Sequence, residues 1–187
     1  ATDIGLDFGF FNSRLYGSVD WYKKVTKDIL RQLQVPDHIG LTGPWVNDGE
    51  MENKGWEFVL GHQNRIGEFR YGINANLETY KNKLLKYGAR EIGTGVIKEE
   101  GLPWNTFYLY VFDGIYQNQE EIDNGPKPIT GTKPGDMKYK DLSGPDGVPD
   151  GKIDGYDRTV VDGAFPKFNY GFNINMEYKG FDLTLFF

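Results

Sequence analysis

Strands with one wholly apolar face, connections that alternate between short and very long, and an aromatic content of 16% predict an all-β fold. The specific expectation is an antiparallel transmembrane β-barrel segment of about six strands with long extracellular loops. The clearest stretch is 168–187. Phe168, Tyr170, Phe172, Ile174, Met176 and Tyr178 fall on one parity; Asn169, Gly171, Asn173, Asn175 and Glu177 fall on the other. After Lys179-Gly180 the rule repeats, with Phe181, Leu183, Leu185 and Phe187 against Asp182 and Thr184. A period of two is a strand, and the tight break makes an antiparallel hairpin. A tilted strand of about ten residues is also what crosses a bilayer in a barrel wall.

The bulk numbers bound the answer. The length, 187 residues, suggests one domain. A net charge of −6 argues against nucleic acid, which needs a basic footprint. No cysteine is present, so disulfides and thiolate metal sites are excluded. Mean hydropathy is negative, and no apolar run reaches the ~18 residues of a membrane-spanning helix. A barrel remains open, because alternating faces average out. The chain begins ATDIGLDFGF, directly in a strand pattern and without a charged, apolar and cleavable leader. The expectation is that a start has been removed or that this is an internal piece.

In order, strands are expected over about 3–11, 14–24, 55–63, 68–82, 167–178 and 181–187. In the first, Ile4, Leu6, Phe8 and Phe10 share a face, and 11–14 make a tight turn to the second, where Leu15, Val19 and Trp21 alternate with Tyr16, Ser18, Asp20 and Tyr22. Residues 25–54 carry Pro36, Pro44 and several glycines with no sustained period, and read as a long loop. Trp56, Phe58, Leu60 and His62 mark the third strand; a turn at 64–67 leads to the fourth, with Tyr71, Ile73, Ala75 and Leu77 outward. A second loop, 83–166, holds an aromatic run over 104–116 with local strands, a short helix over 118–123 and an aspartate-rich segment.

Three short turns thus fall at one end of the sheet and both long loops at the other, the arrangement of outer-membrane barrels. A soluble, calcium-stabilised β-sandwich acting as a carbohydrate-binding module is the alternative, and the direction in which Phe172, Ile174, Leu183 and Leu185 point separates the two. Six strands cannot close a membrane barrel, for which about eight is the floor, so the barrel reading makes this part of a larger wall.

Several blocks carry a family resemblance. They are 134–141 (PGDMKYKD), 151–158 (GKIDGYDR), 166–172 (PKFNYGF) and 178–183 (YKGFDL), with 50–57 (EMENKGWE) and 113–122 (DGIYQNQEEI) upstream. Together they resemble the SusC/RagA family of TonB-dependent outer-membrane transporters of Bacteroidetes. The resemblance implies a barrel of about 22 strands with a plug domain, a contact with the TonB complex, and a SusD-like surface lipoprotein as a lid. It implies import of oligosaccharides or oligopeptides across the outer membrane, with this chain, from the C-terminal half of the barrel, as wall and extracellular loops in outer-membrane lipid. It implies no enzymatic activity.

The sharpest chemical signal is the aspartate segment. Asp150, Gly151, Lys152, Asp154 and Asp157 match positions 5, 6, 7, 9 and 12 of an EF-hand-like calcium loop. The first half departs from the pattern: it begins either at Asp146 or at Asp141 and Ser143 with an insertion. Structural Ca2+ is one reading and a solvated acidic turn the other. Trp104, Tyr108 and Tyr110 are candidates for substrate contact, or else the core that orders a long loop; Trp45 is open to the same two readings. The two histidines, His38 and His62, lie far apart in sequence, and no Ser/His/Asp or paired-carboxylate arrangement is evident.

Overall fold

The computed structural model describes residues 1–33, 35–36 and 40–187; His38 lies outside the described residues. In chain order the elements are β1 (Thr2–Phe10), β2 (Leu15–Gln32), β3 (Trp45–Ile66), β4 (Phe69–Lys86), β5 (Glu91–Ile92), β6 (Val96–Lys98), β7 (Thr106–Tyr110), β8 (Phe112–Ile115), α1 (Gln119–Asn124), β9 (Met137–Tyr139), a 3-10 turn (Gly155–Asp157), β10 (Arg158–Val160), β11 (Phe168–Tyr178) and β12 (Phe181–Phe186). They form two compact units. One comprises Ala1–Arg90, Glu99–Trp104 and Phe165–Phe187; the other comprises Glu91–Lys98 and Asn105–Ala164.

The first unit is a single antiparallel sheet in the order β1-β2-β3-β4-β11-β12. Its turns follow from local chemistry. Lys179 and Gly180 both have positive φ, the pattern of a type I′ hairpin. Gly67 alone is positive in the β3–β4 turn, as type II′ requires. The β1–β2 turn holds Phe11, Asn12 and Ser13 at positive φ without a glycine.

Register fixes the faces. Leu15, Val19 and Trp21 oppose His62, Phe58 and Trp56, and Leu77 opposes Phe58 on one side and Tyr170 on the other. This apolar face lies open: Leu183 is exposed and Phe172, Ile174 and Leu185 are half-buried, with Ile4, Leu6, Tyr170 and Phe181 exposed beside them. A β-sandwich would bury those side chains against a second sheet, so the sandwich alternative fails on the wall itself. The opposite face is polar, with Asn74 between Gly61 and Asn173 in register. Across it Thr184 donates to Asn175 at 3.0 Å, and Arg70 pairs with Glu177 at 3.7 Å.

Glycines on the polar face take aromatic cover. Tyr16 lies directly opposite Gly61, its ring where a glycine Cβ would project, and its hydroxyl donates to Asn74. Tyr22 covers Gly55 in the same way. Such cross-strand aromatic cover restores the packing that a strand glycine lacks.

The strand bounds correct the sequence reading in one respect. Residues 25–32 and 45–54, expected as loop, continue β2 and β3, with Gln32 opposite Trp45. Two causes hid this. Register shifts near Asp28, whose φ is +58°, and between Glu50 and Met51 break the period. The contrast between the faces also fades there, with Ile29 and Met51 on the inner face and Lys54 and Glu52 on the outer one. At ~3.3 Å per residue β3 runs about 70 Å, far beyond the ~25 Å apolar band of an outer-membrane barrel. Within 83–166, likewise expected as loop, β4 continues to Lys86 and short strands β5–β10 follow. No helix among the described residues is long and apolar enough to cross a membrane.

The second unit is built on the sheet β10-β7-β6-β5 and the pair β8-β9. Its buried residues include Ile97, Tyr116, Ile122 and Ile153. Asn118 caps α1 by accepting from the Glu121 N–H.

Gly61→Val should displace the Tyr16 ring and break its bond to Asn74. In a full-length receptor the heat-modifiability midpoint should fall by several degrees, an overpacking cost of about 1–3 kcal/mol. Gly72→Ala, whose added Cβ would meet nothing within 4 Å, should leave the midpoint unchanged.

Candidate functional site

Two sites emerge, one in each unit. The first is an aromatic cleft of about 300 Å³ lined by Thr26, Ile29, Met51, Tyr80, Asn82, Trp104 and Phe165. Thr26 and Met51 are register partners, and Tyr80 and Asn82 share their parity, that of the polar inner face. Trp104 arrives on the segment Glu99–Trp104. Its backbone N–H donates to Asn82 Oδ1 at 2.6 Å. Behind it, Leu84 and Leu102 pair through the backbone, as do Gly101 and Leu84. The Glu100 carboxylate accepts from the N–H groups of Tyr87 and Gly88 at 2.8 and 3.0 Å, which hold its pKa below the usual glutamate value. Trp104 meets Tyr87 edge-on at 5.5 Å, and Phe165 meets Tyr80 edge-on at 5.6 Å. Arg31 lies 5.8 Å over Tyr87 and is paired with Asp48 at 3.0 Å. The cleft is therefore a mostly apolar recess whose polar lining is Thr26 and Asn82, the latter also donating to Asn53 at 2.6 Å.

The other aromatic candidates lie in the second unit and are occupied by neighbours. Arg158 sits 5.3 Å over the Tyr108 ring, and Tyr139 lies 5.2 Å from Tyr110. Trp45 is exposed at the start of β3. His62 stacks on Tyr71 on the outward face.

The second site is the aspartate loop. Asp157 is fully buried. One carboxylate oxygen accepts from the N–H groups of Leu142 (2.8 Å) and Ser143 (3.1 Å), the other from Asp154 (2.7 Å). Asp141 accepts from Gly151 at 2.7 Å and Asp150 at 3.3 Å. Asp154 caps the 3-10 turn through Tyr156. Asp150 receives the Lys152 N–H, and the Lys152 ammonium stands 3.9 Å from its carboxylate. Asp146 is exposed, away from these contacts. The structure thus brings Asp141 and Ser143, rather than Asp146, onto the second half of the loop. Gly151 has φ +78°, as the sharp turn at position 6 of a calcium loop needs. Among the described residues no three His, Cys, Asp or Glu side chains converge as a metal centre.

Burial pushes the Asp157 carboxyl up, but its three backbone donors outweigh that and leave it below the ordinary aspartate value. Its contribution to loop stability is therefore present above pH ~3.9 and lost as pH falls through the lowered folded value.

Sequence reasoning missed Tyr80, Phe165 and Met51 as cleft walls, because the bulges concealed their common face. It also missed the Ile153 anchor, whose N–H donates to Lys127 at 2.9 Å while Lys127 donates to Gly151 at 2.7 Å. A lone buried isoleucine in an acidic segment was the available signal.

A wall with an open apolar face, a polar inner face and strands that overshoot the membrane defines an outer-membrane β-barrel protein. No family model matches the chain. It is 32% identical over 199 residues to TonB-dependent receptor P3 of Formosa agariphila, covering 99% of this chain and 19% of that protein. It is 25% identical to TonB-dependent receptor SusC of Bacteroides thetaiotaomicron, covering 97% of this chain and 18% of that one. In fold it is similar to the RagAB peptide importer in its 'open-open' state, with a TM-score of 0.76 at 24% identity over 98% of this chain and 19% of the other. The chain belongs to the SusC/RagA family of TonB-dependent receptors. It spans about a fifth of the length of the curated relatives it matches.

Asp157→Ala should leave three partly buried N–H groups without their acceptor, at about 1 kcal/mol or more in all. Trypsin cleavage at Lys152 and Arg158 in the full-length receptor should accelerate at least tenfold, whereas Asp146→Ala should leave it unchanged.

Proposed function

We propose that this chain forms six adjacent wall strands and the extracellular loops of a TonB-dependent importer in the outer membrane, working with a SusD-like lipoprotein lid, and that its cargo is oligopeptide rather than oligosaccharide. The observation that carries the reading is the uncovered apolar face of a wall whose likeness to TonB-dependent receptors runs the length of the chain. Hydrocarbon tolerates no open sheet edge, so β1 and β12 need pairing strands, and the relatives are long enough to supply them.

The cleft supports the cargo class. Its rings meet edge-on and enclose a recess with Ile29 and Met51. Sugars stack on flat, open faces, whereas an apolar peptide side chain fills a recess, with the Thr26 hydroxyl beside it for a main-chain hydrogen bond. No catalytic chemistry is needed: binding occurs in the outer cavity, and energy delivered through TonB moves the cargo inward. RagAB, which this chain is similar to in fold, is a 'peptide importer', and that supports the reading.

The test is uptake of labelled oligopeptides by cells carrying the full-length receptor. Uptake should vanish with an uncoupler and on deletion of the lipoprotein. Trp104→Ala should weaken peptide binding to the purified receptor–lipoprotein complex by about tenfold (~1.4 kcal/mol). Calorimetric binding of oligosaccharides but not peptides would overturn the cargo, and uptake insensitive to the uncoupler would overturn the mechanism.

A calcium ion in the 141–157 loop is part of the same proposal. It is supported by the match of Asp150, Gly151, Lys152, Asp154 and Asp157 to calcium-loop positions and by the positive φ of Gly151; the carboxylates, of which no three converge among the described residues, would draw together around the ion. Its role would be to pin an acidic loop. Titration of the chelator-treated receptor should show one millimolar-or-tighter calcium site that protects Lys152 from trypsin. No heat of binding at millimolar calcium would remove the ion.

A further inference from the structure

Lysines stand in a cross-strand row on the outward face. Lys23 pairs in register with Lys54, and Lys54 with Lys81. All three share the parity of the apolar face. The row directly below on that face is Trp21, Trp56, Thr79 and Phe168. It marks the upper rim of the apolar belt, at the end away from the three short turns. Tryptophans collect at the headgroup level of a bilayer. Two residues further along the strand is about 7 Å, and a lysine stem reaches that far again.

Like charges directly opposite one another in a sheet are destabilising. Here three stand on adjacent strands about 5 Å apart, in a chain whose net charge is −6. Internal neutralisation is partial. Glu52, in the next row, accepts Lys23 at 2.9 Å and Lys54 at 2.8 Å. Its opposite neighbour across β4 is Lys83. Lys81 and Lys83 are exposed, with no carboxylate within ion-pair distance among the described residues. Four lysines therefore face outward against one carboxylate, just above a tryptophan rim.

We propose that Lys23, Lys54, Lys81 and Lys83 form a docking site for the phosphate groups of the outer-leaflet lipid that surrounds the barrel. The proposal rests on the wall reading above. The occupant follows from position and charge. The site continues the lipid-facing surface at headgroup height, and its uncompensated cations call for a polyanion. Phosphates on a saccharide-headed lipid lie at that depth, and each lysine near a charged membrane surface contributes about fivefold in binding. Glu52 then bridges two of the ammonium groups at the wall, leaving their remaining donors for phosphate oxygens.

The test uses the full-length receptor in phosphatidylcholine nanodiscs doped with bisphosphorylated lipid A or with its dephosphorylated counterpart. Native mass spectrometry should show the wild type retaining the phosphorylated lipid at least tenfold over the other. The triple variant K23Q/K54Q/K81Q should insert and remain heat-modifiable but lose that preference. K23R/K54R/K81R should keep it, and K133Q, a charge removed from the second unit, should behave as wild type. Equal retention by the triple glutamine variant overturns the proposal. So does loss of co-purifying lipoprotein with lipid preference intact, which assigns the row to a protein contact. A receptor that fails to insert in any nanodisc overturns the wall reading itself, a result separable from loss of lipid preference alone.

Discussion

Backbone pairing in a medium without water is the constraint from which the wall follows. Hydrocarbon offers no partner for an N–H or C=O, so the sheet must satisfy its own, and the ladders from β1 to β12 do so strand by strand. Once the register is set, each side chain is committed to lipid or lumen, because a one-residue slip would exchange the faces. The unbroken run of partners from Phe168–Thr79 to Tyr178–Phe69 shows how tightly β11 is held to β4.

The same ladder carries the wall out of the membrane. Above Trp21 and Trp56 the chemistry of the outward face changes from apolar to lysine, while the pairing continues to Gln32 and Trp45. A paired sheet therefore continues past the apolar belt in place of an unpaired loop. Its inner face supports the aromatic cleft, and its outer face presents the lysine row. Both features depend on the register of β2, β3 and β4, and neither belongs to any single strand.

The alternating residues of 4–10 and 168–187, and the turn at Lys179-Gly180, were legible because a membrane forces contrast between the two faces. The paired portions of 25–54 were not legible for the reason that contrast ends there: water on both sides asks for no alternation, and the bulges near Asp28 and Glu50 shift the phase. The short helix at 118–123 was readable from its cap and acidic first turn. Of the candidate residues, Trp104 lines a cleft, whereas Tyr108 and Tyr110 are held by Arg158 and Tyr139. Those differences arise from pairings distant in sequence, such as Trp104 with Asn82, which no local pattern announces.

The aspartate loop shows how a motif and its scaffold divide the work. Carboxylates repel, so an acidic turn left to itself would open. Here Asp157 and Asp141 hold five backbone N–H groups between them, which ties the first and second halves of the loop together. Ile153 adds an apolar anchor, and its strand-like bridge to Lys127 joins the loop to the 125–135 segment. A cation would neutralise what repulsion remains, but the order of the loop does not rest on it alone: buried charge paired with several N–H donors is already a strong local restraint. The acidic segment is thus shaped first by its own backbone.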